Sequence, residues 1–430
     1  MKTHFLIGAA NSGAGKTTLT IGLLRVLQER GMNVQSFKCG PDYIDTCYHS
    51  AADYTEAVNL DTWMASEEHV RQLYTKYSAT ADCCVTEGVM GLFDGYNKMR
   101  GSSAEIAALF NIPVVLVVNA ESVAYSVAPV IYGFKHFNPK VNIVGVIFNK
   151  VSSASHYSFL KDACDDIGVE CFGYLPNNSD IVIPSRYLGL TINKSFEMEE
   201  LIVRIADLVN ETIDVDRLLE CTSIKDLDND DDESIELEHP LNIAVANDDA
   251  FTFTYRENIE ALKRLGNIEY FSPLFSKEIP NADIIYIPGG YPELYAKYLA
   301  ENKDILQQLK DYADKGGKIF AECGGMMYLC KDMKVQGETY DMAGILPFSS
   351  SMDDAHLTLG YRSMNYNGKE YRGHEFHYSH LINPEALPSF TTLYNARGME
   401  VPVGLYRCKN VIAGYTHWYW GEQDFLDFWK

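Results

Sequence analysis

The sequence predicts an α/β protein made of two domains, each built on a mostly parallel sheet. Short apolar segments typical of buried strands alternate with segments of helical periodicity in both halves of the chain. The segment 226–238 separates the halves: it holds eight acidic residues and no basic one, so it is predicted to stay solvated as a linker. The predicted domains therefore span residues 1–221 and 241–430, with the linker at 222–240.

The composition limits the classes of partner. Of 430 residues, 47% are hydrophobic and 22% are charged, as in an ordinary soluble protein. The net charge of −23 argues against nucleic acid or an anionic membrane surface. The ten cysteines form no C-x-x-C pair, and the chain enters a strand without a signal segment, so we expect a reduced, cytoplasmic protein. The longest apolar runs, such as 114–118, are too short to cross a bilayer.

The first strand leads into a glycine-rich loop and then an apolar-periodic helix. The loop reads G-A-G-K-T-T at 13–18, with Ala10 where the standard phosphate-loop pattern has its first glycine. Backbone N–H groups of such a loop cradle phosphates, the lysine reaches the β- and γ-phosphates, and the hydroxyl after it binds Mg²⁺. A chance match is the alternative, and the flanking strand and helix favour nucleotide binding. The predicted ATP-binding residues of the loop are Gly13, Gly15, Lys16, Thr17 and Thr18.

Carboxylates follow the next strands. The strand 34–37 delivers Lys38, Asp42 and Asp45, and the strand 83–87 ends on Glu87. Since parallel strand ends converge on one edge of a sheet, Thr17, Asp42, Asp45 and Glu87 are predicted to meet around one Mg²⁺ ion. For the two aspartates, the alternative is a solvated Pro-Asp turn.

Two further residues are assigned to ATP. Lys38 lies beside the acidic pair, where it suits a phosphate group. Asn149 ends a later strand, where its amide could read adenine, and a plain strand-end turn is an equal alternative.

In the second half, the sequence A-E-C-G-G at 321–325 stands between an apolar strand and a helix. A thiol on such a turn is exposed at a helix N-terminus, which favours the thiolate, so Cys323 is a predicted nucleophile. A small buried cysteine is the alternative. An earlier strand ends in the turn Gly289-Gly290, where a backbone N–H can approach an oxyanion, and a late strand, 412–417, ends on His417 as a possible base.

The order of glycine turn, cysteine and histidine resembles the class I, triad-type glutamine amidotransferases. That family usually has a glutamate two residues after its histidine, and here the position is Tyr419. The resemblance therefore implies a Cys323–His417 dyad, with the N–H groups of Gly290 and Gly324 holding the oxyanion.

The N-terminal motifs make the resemblance more specific. Together with the loop at 13–18, F-K-C-G-P-D-Y-I-D at 37–45 and E-G-V-M-G-L-F-D-G at 87–95 resemble the cobyrinic acid a,c-diamide synthases. They are equally similar to the archaeal relatives that amidate nickel-sirohydrochlorin, and cobyric acid synthase is a further alternative. The resemblance implies a dethiobiotin-synthetase-type N-terminal domain, Mg-ATP and glutamine as co-substrates, and a corrinoid contacted by Tyr43 and Ile44.

Other expectations concern assembly and a rival function. A homodimer is one expected assembly, although the sequence does not set the oligomeric state. The rival is a P-loop regulatory protein whose glutaminase-like half only binds a ligand. His374 and His377 suggest a metal site, but the segment favours a strand that places them on opposite faces, and no cysteine or acidic quartet completes a zinc site.

Overall fold

The computed structural model describes residues 2–183, 194–225 and 240–430, with side chains described from residue 197 onward in the second range. The chain divides into two compact units, 1–232 and 233–430. Most of the predicted linker, residues 226–239, lies outside the described residues. Its first residues belong to the first unit, since Thr222 ends a helix and Ser223–Ile224 pair with the first strand.

The N-terminal unit contains one sheet with helices between its strands. Its strands are β1 (Lys2–Ala9), β2 (Val34–Cys39), β3 (Val58–Leu60), β4 (Cys83–Glu87), β5 (Val114–Asn119), β6 (Ile143–Val151), β7 (Glu170–Pro176) and β8 (Ser223–Ile224). Its helices are α1 (Lys16–Glu29), α2 (Ile44–Asp53), α3 (Glu67–Ser78), α4 (Ser103–Phe110), α5 (Val127–Phe137), α6 (Ala154–Asp166), α7 (Lys194–Thr212) and α8 (Val215–Thr222). A short 3₁₀ turn covers Ser179–Ile181.

The strand order is β3-β2-β4-β1-β5-β6-β7, with β8 antiparallel to β1 and the other pairs parallel. The order reverses at β1, which has β4 on one side and β5 on the other. In open parallel sheets, ligands bind beyond the carboxyl ends of strands at such a switch point. The phosphate loop follows β1 and therefore occupies this position.

Helix α1 is held against the sheet by its apolar stripe. Leu19, Leu23 and Leu27 are completely buried, and each contributes roughly 1.5–3 kcal/mol through burial. Gly22 allows α1 to approach α7 closely, because a Cβ there would lie 2.6 Å from the Val209 side chain. This packing fixes the start of α1, where the phosphate loop ends.

The C-terminal unit has a mostly parallel central sheet and two smaller sheets, one antiparallel and one mixed. Its strands are β9 (Leu241–Ala246), β10 (Gly266–Phe271), β11 (Ile284–Ile287), β12 (Lys318–Glu322), β13 (Asp332–Val335), β14 (Glu338–Asp341), β15 (Ser349–Ser351), β16 (Thr358–Tyr366), β17 (Lys369–His377), β18 (His380–Ile382), β19 (Leu393–Asn395), β20 (Glu400–Val401), β21 (Leu405–Cys408), β22 (Val411–Gly414) and β23 (His417–Trp418). Its helices are α9 (Arg256–Lys263), α10 (Ala296–Glu301), α11 (Lys303–Asp314) and α12 (Gly324–Leu329). Short 3₁₀ turns cover Pro292–Tyr295, Pro384–Ala386 and Phe425–Trp429.

The central sheet of this unit has the order β10-β9-β11-β12-β22-β21. All its pairs are parallel except β21 with β22. Strands β11, β12 and β22 are consecutive in the sheet, so the segments that leave their carboxyl ends are brought together. The α/β class with mostly parallel central sheets, predicted from the sequence, is confirmed. Among the helices described, none is both long and apolar enough to span a membrane.

Candidate active sites

The phosphate loop is held by the side-chain amide of Asn149, which lies on β6. Gly15 has a φ of 97°, and a Cβ at this residue would lie 1.9 Å from Asn149 Nδ2. Asn149 Nδ2 donates a hydrogen bond of 2.9 Å to the Ala14 carbonyl. The amide that was predicted to read adenine thus contacts the loop itself. Adenine recognition by Asn149 stays a prediction.

Lys16, the lysine of the loop, is buried at the start of α1. Its ammonium donates to the Met90 carbonyl at 2.6 Å, and burial lowers the pKa of Lys16. Met90 has a left-handed φ of 52° in the loop after β4. The segment that follows Glu87 therefore reaches over the phosphate loop.

Glu87 is the centre of a buried charge cluster. Its Oε1 accepts hydrogen bonds from the Thr17 hydroxyl at 2.7 Å and the Lys38 ammonium at 2.9 Å. Lys38 also donates to Asp45 Oδ2 at 2.6 Å. Strands β2, β4 and β1 are neighbours in the sheet, and this adjacency brings the four side chains together.

The cluster sets the ionisation of its members. Burial alone would raise the pKa of Glu87, but Lys38 and His49 outweigh it and hold that pKa well below its usual range. Burial alone would lower the pKa of Lys38, but Asp45 and Glu87 raise it above its usual value. Burial raises the pKa of Asp45 to about 6, against the opposing effect of Lys38. At neutral pH the cluster is therefore charged and internally compensated.

Asp42 acts on the cluster through its charge, since it contributes to raising the pKa values of Lys38 and Asp45. Its Oδ1 accepts hydrogen bonds from the backbone N–H groups of Ile44 and Asp45, both at 2.9 Å, at the start of α2. Across the described part of the chain, no three His, Cys, Asp or Glu side chains are grouped to hold a metal ion. Thr17 and Asp45 are thus linked to Glu87 by hydrogen bonds, the second through Lys38, while Asp42 caps the start of α2. The meeting of all four residues around one Mg²⁺ ion stays a prediction.

Sequence reasoning missed His49. This histidine is completely buried on α2, and its Nε2 lies 2.6 Å from Glu87 Oε2. A signal existed, because His49 is one helical turn after Asp45 and so shares its face of the helix. The two carboxylate oxygens of Glu87 therefore have different partners: Oε2 contacts His49, and Oε1 accepts a hydrogen bond from Thr17.

The predicted corrinoid contacts lie at the start of the same helix. Tyr43 immediately precedes α2 and is 8% exposed, whereas Ile44 begins α2 and is partly exposed. Their contact with a substrate stays a prediction.

In the second unit, Cys323 occupies a strained turn between β12 and α12. Its φ is 48° and its ψ is −108°, a backbone conformation that residues other than glycine rarely adopt. Its backbone N–H donates to the Gly414 carbonyl at 2.7 Å, which joins the turn to the end of β22. The predicted strand–turn–helix geometry around Cys323 is confirmed.

The two glycines predicted to hold an oxyanion lie against each other beside this turn. A Cβ at Gly324 would lie 3.0 Å from the Gly290 nitrogen, and a Cβ at Gly290 would lie 2.0 Å from the Ala250 carbonyl oxygen. A Cβ at Gly289 would lie 2.3 Å from Cε1 of His417. Side chains at these three positions would collide with neighbouring backbone or with the imidazole of His417. This explains why glycine occupies each of them.

His417 is not at the end of the strand that was predicted to carry it. Strand β22 ends at Gly414, and Thr416 leaves the sheet to donate to the Glu375 carboxylate at 2.9 Å. His417 then begins β23, which pairs with β17 and places His417 opposite His374. Their rings stack with centroids 5.0 Å apart. The predicted strand character of His374 and His377 is confirmed, since both lie on β17.

The surroundings of Cys323 do not favour the predicted thiolate. Burial, and then the charge of Glu293, raise the pKa of Cys323, and the N–H of Gly324 only partly opposes them. Burial and the neighbouring histidines hold the pKa of His417 well below its usual value. The expected effect of the helix N-terminus is therefore outweighed, which favours a thiol at Cys323 and a neutral imidazole at His417.

Tyr419, at the position where the triad family has glutamate, packs its ring edge-on against Tyr255 at 5.7 Å. Two buried carboxylates near the cysteine have other partners. Glu322 accepts from the Tyr286 hydroxyl and the Trp418 N–H, and Glu375 accepts from Arg362 and Thr416. The dyad stays a prediction.

Comparison with known proteins gives the family. Residues 5–188 match the model of the CobQ/CobB/MinD/ParA nucleotide binding domain, and residues 242–425 match the CobB/CobQ-like glutamine amidotransferase domain. The cobyrinate a,c-diamide synthase of Caldanaerobacter subterraneus is 39% identical over 96% of this chain and 94% of its own length. The enzyme of the same name from Salmonella typhimurium is 37% identical over 99% of this chain and 97% of its own. The chain belongs to the cobyrinate a,c-diamide synthase family.

Membership of the cobyrinate a,c-diamide synthase family confirms the resemblance drawn from the sequence motifs. The nucleotide-binding match contains every residue assigned to ATP and Mg²⁺, including Lys16 and Glu87. The glutamine amidotransferase match contains Cys323 and His417.

Proposed function

We propose that the chain is a glutamine-dependent cobyrinate a,c-diamide synthase, a carbon–nitrogen ligase that converts the a and c acetate carboxylates of cobyrinate into amides at the expense of ATP. Near-full-length similarity to synthases of that name carries the proposal. The site geometry supports it, because one chain holds a phosphate loop with a buried acidic cluster and a strained cysteine turn with a histidine. Residues 1–221 form the synthetase domain and 241–430 the glutaminase domain.

The synthetase domain activates the substrate carboxylate. A carboxylate oxygen attacks the γ-phosphorus of ATP, the bond to ADP breaks, and an acyl phosphate forms. Gly13, Gly15 and Thr18 hold the phosphates through the loop and the start of α1. Lys16, fixed by the Met90 carbonyl, balances charge on the γ-phosphate, and Lys38 keeps Asp45 and Glu87 ionised beside it.

The donor set of this domain suits Mg²⁺. The Thr17 hydroxyl and Glu87 Oε1 are hard oxygen donors 2.7 Å apart, and Mg²⁺ is usually bound by one or two carboxylates together with substrate phosphates rather than by a complete protein cage. Thr17 and Glu87 would hold the ion, with Asp45 next to them, and Asp42 shapes the turn. When bound, Mg²⁺ neutralises charge on the phosphates.

The glutaminase domain supplies ammonia. His417 takes the proton of Cys323 as the sulfur attacks the side-chain amide carbon of glutamine, and the N–H groups of Gly290 and Gly324 hold the oxyanion. The C–N bond breaks, ammonia leaves with a proton returned by His417, and water hydrolyses the thioester to glutamate. Ammonia then attacks the acyl phosphate and phosphate leaves.

Two further expectations concern the substrate and the location of the enzyme. Tyr43 and Ile44 contact the corrinoid, and the enzyme works in the cytoplasm.

Self-association into a homodimer is supported by helix α5. This helix exposes Val130, Tyr132 and Phe137 and has no acidic residue, in a chain of net charge −23. Light scattering of the wild type and of Tyr132→Glu tests the dimer: equal masses for both would remove α5 from the interface.

Mass spectrometry of the tetrapyrrole product tests the function. With cobyrinate, ATP, Mg²⁺ and glutamine, we expect two amides and then no further change, each amide lowering the mass by about one dalton because NH₂ replaces OH. Four amides on a diamide substrate would identify a cobyric acid synthase. Turnover of nickel-sirohydrochlorin alone would identify the archaeal activity, and no turnover of any tetrapyrrole would favour the regulatory protein.

A further inference from the structure

Free glutamine differs from other primary amides by its α-ammonium and α-carboxylate groups. A site that attacks only the amide carbon would not separate it from amides that lack these groups. An anionic side chain near the nucleophile that accepts hydrogen bonds from the α-ammonium would provide selectivity for glutamine. The carboxylates around Cys323 are the residues to consider.

Three glutamates act on Cys323 through their charge, namely Glu293, Glu375 and Glu322. Two of them already have partners. Glu375 forms an ion pair of 2.9 Å with Arg362 and accepts from Thr416, and Glu322 accepts from Tyr286 and from the Trp418 N–H. Neither can turn to a ligand without leaving a buried partner unsatisfied.

Glu293 differs from both. No other side chain in the described ranges donates a hydrogen bond to its carboxylate or pairs with it. Glu293 is only partly exposed, and burial raises its pKa to about 7 because no side-chain cation in the described ranges pairs with it. A cationic ligand would offset this effect of burial.

The position of Glu293 also fits. It lies in the turn Pro292–Tyr295, three residues after Gly290, one of the two glycines proposed to hold the oxyanion. That turn rests on the cysteine turn, since a Cβ at Gly324 would lie 2.7 Å from Cδ of Pro292. Among the three glutamates, Glu293 exerts the largest charge effect on the thiol. An ammonium bound to it would stand beside the amide under attack.

We propose that the Glu293 carboxylate binds the α-ammonium group of glutamine and thereby selects this amide as the nitrogen donor. The inference rests on the proposed glutaminase function of Cys323. It assigns the residue a role in substrate binding, so its removal should weaken binding more than it slows the chemical step.

The test compares glutamine with pentanedioic acid monoamide, which is glutamine without the α-amino group. In Glu293→Gln of the full-length protein, we expect KM for glutamine to rise about 10- to 100-fold, the loss of one charge-assisted hydrogen bond. kcat should stay the same or increase, because removing a negative charge favours the thiolate. KM for the monoamide should not rise, so the preference for glutamine collapses. Glu293→Asp should recover part of it.

Glu301→Gln, an exposed glutamate at the end of α10, is the matched control and should behave as wild type. Amidation with ammonium salt should persist in every variant because the Glu87 cluster is untouched, and turnover of the monoamide reports correct folding of the C-terminal unit. An equal loss for glutamine and the monoamide, or an unchanged preference, would overturn the role of Glu293. Retained glutaminase activity in Cys323→Ala would instead overturn the proposed function, which separates the two failures.

Discussion

The cluster around Glu87 in the N-terminal unit and the cluster around Cys323 in the C-terminal unit occupy the same place in their sheets but differ in charge. Both lie beyond the carboxyl ends of adjacent parallel strands. Around Glu87, Lys38 compensates two carboxylates and keeps them ionised. Around Cys323, burial favours a protonated thiol and a neutral imidazole. One site is prepared for a charged phosphate, the other for a neutral amide.

The difference shows how one strand-end architecture serves two chemistries. Parallel strands bring side chains together but do not set their ionisation. In the first unit, Lys38 and His49 decide the ionisation of Glu87, because together they outweigh the effect of its complete burial. In the second unit the buried cation Arg362 is paired with Glu375, and burial and carboxylates raise the pKa of Cys323 against one backbone N–H.

The largest effect is expected for Cys323→Ala. Glutamine-supported amidation should fall by at least about 10³-fold, because the nucleophile is removed. Amidation supported by high ammonium salt should remain, because the Glu87 cluster is untouched. Parallel assays of product amide with the two nitrogen sources measure this. If both activities disappear, the thiol serves both sites and the comparison fails.

His417→Ala should reduce glutaminase activity by about 10²- to 10⁴-fold, since a protonated thiol then lacks its base. The pKa of Cys323 is raised, so the thiolate fraction grows with pH throughout the neutral range. The variant should therefore gain activity as pH rises from about 7 to about 9, by up to tenfold per unit, whereas the wild type, whose imidazole is already neutral, should gain little. Glutaminase pH profiles check this, with Tyr419→Phe as control. An equal defect in that control would contradict the dyad.

In the N-terminal unit, His49→Ala should weaken Mg²⁺-dependent nucleotide binding by about 10- to 100-fold. His49 holds Glu87 Oε2, and second-shell partners of this kind orient metal ligands. His49→Gln, which keeps a donor near Nε2, should restore most of the affinity. Titration calorimetry of ATP with and without Mg²⁺ measures the effect.

The matched control for His49 is His4→Asn. His4 is equally buried, but its ring bonds to Tyr74. A similar loss in both variants would show a general packing defect. An unchanged affinity in His49→Ala combined with a loss in Glu87→Gln would remove only His49 from the proposal.

The smallest effect concerns the charge state of Glu322. Burial raises the pKa of this carboxyl to about 8, above its ordinary value of 4.5. The folded state therefore binds a proton that the unfolded state releases, and the protein loses stability as pH rises from about 4.5 to about 8. Glu322→Gln carries no such charge. Its free energy of unfolding relative to wild type should rise by about 1.4 kcal/mol per pH unit within this window.

Urea unfolding at about pH 6 and about pH 7 measures this gain. A constant difference between variant and wild type at both pH values would mean that Glu322 is ionised in the folded protein. The C-terminal site would then hold an ionised buried carboxylate, as the Glu87 cluster does, and the contrast in charge between the two sites would be wrong.

The sequence alone determined the elements and the family. Apolar periodicity and turn residues report local backbone structure, so the loop before α1, the strand ending at Glu87 and the turn at Cys323 were predicted correctly. Three spaced motifs were sufficient for the cobyrinate a,c-diamide synthase family.

Only the tertiary structure decided which side chains meet and in what state of charge. The order β2-β4-β1 brings Glu87 to Thr17 and His49, while Asp42, three residues from Asp45, turns to the backbone instead. His417 sits on β23 rather than β22, and the raised pKa of Cys323 depends first on burial and then on carboxylates from other segments. Strand adjacency follows from long crossover connections, and burial from the packing of every neighbour. Neither is encoded within a local stretch of sequence.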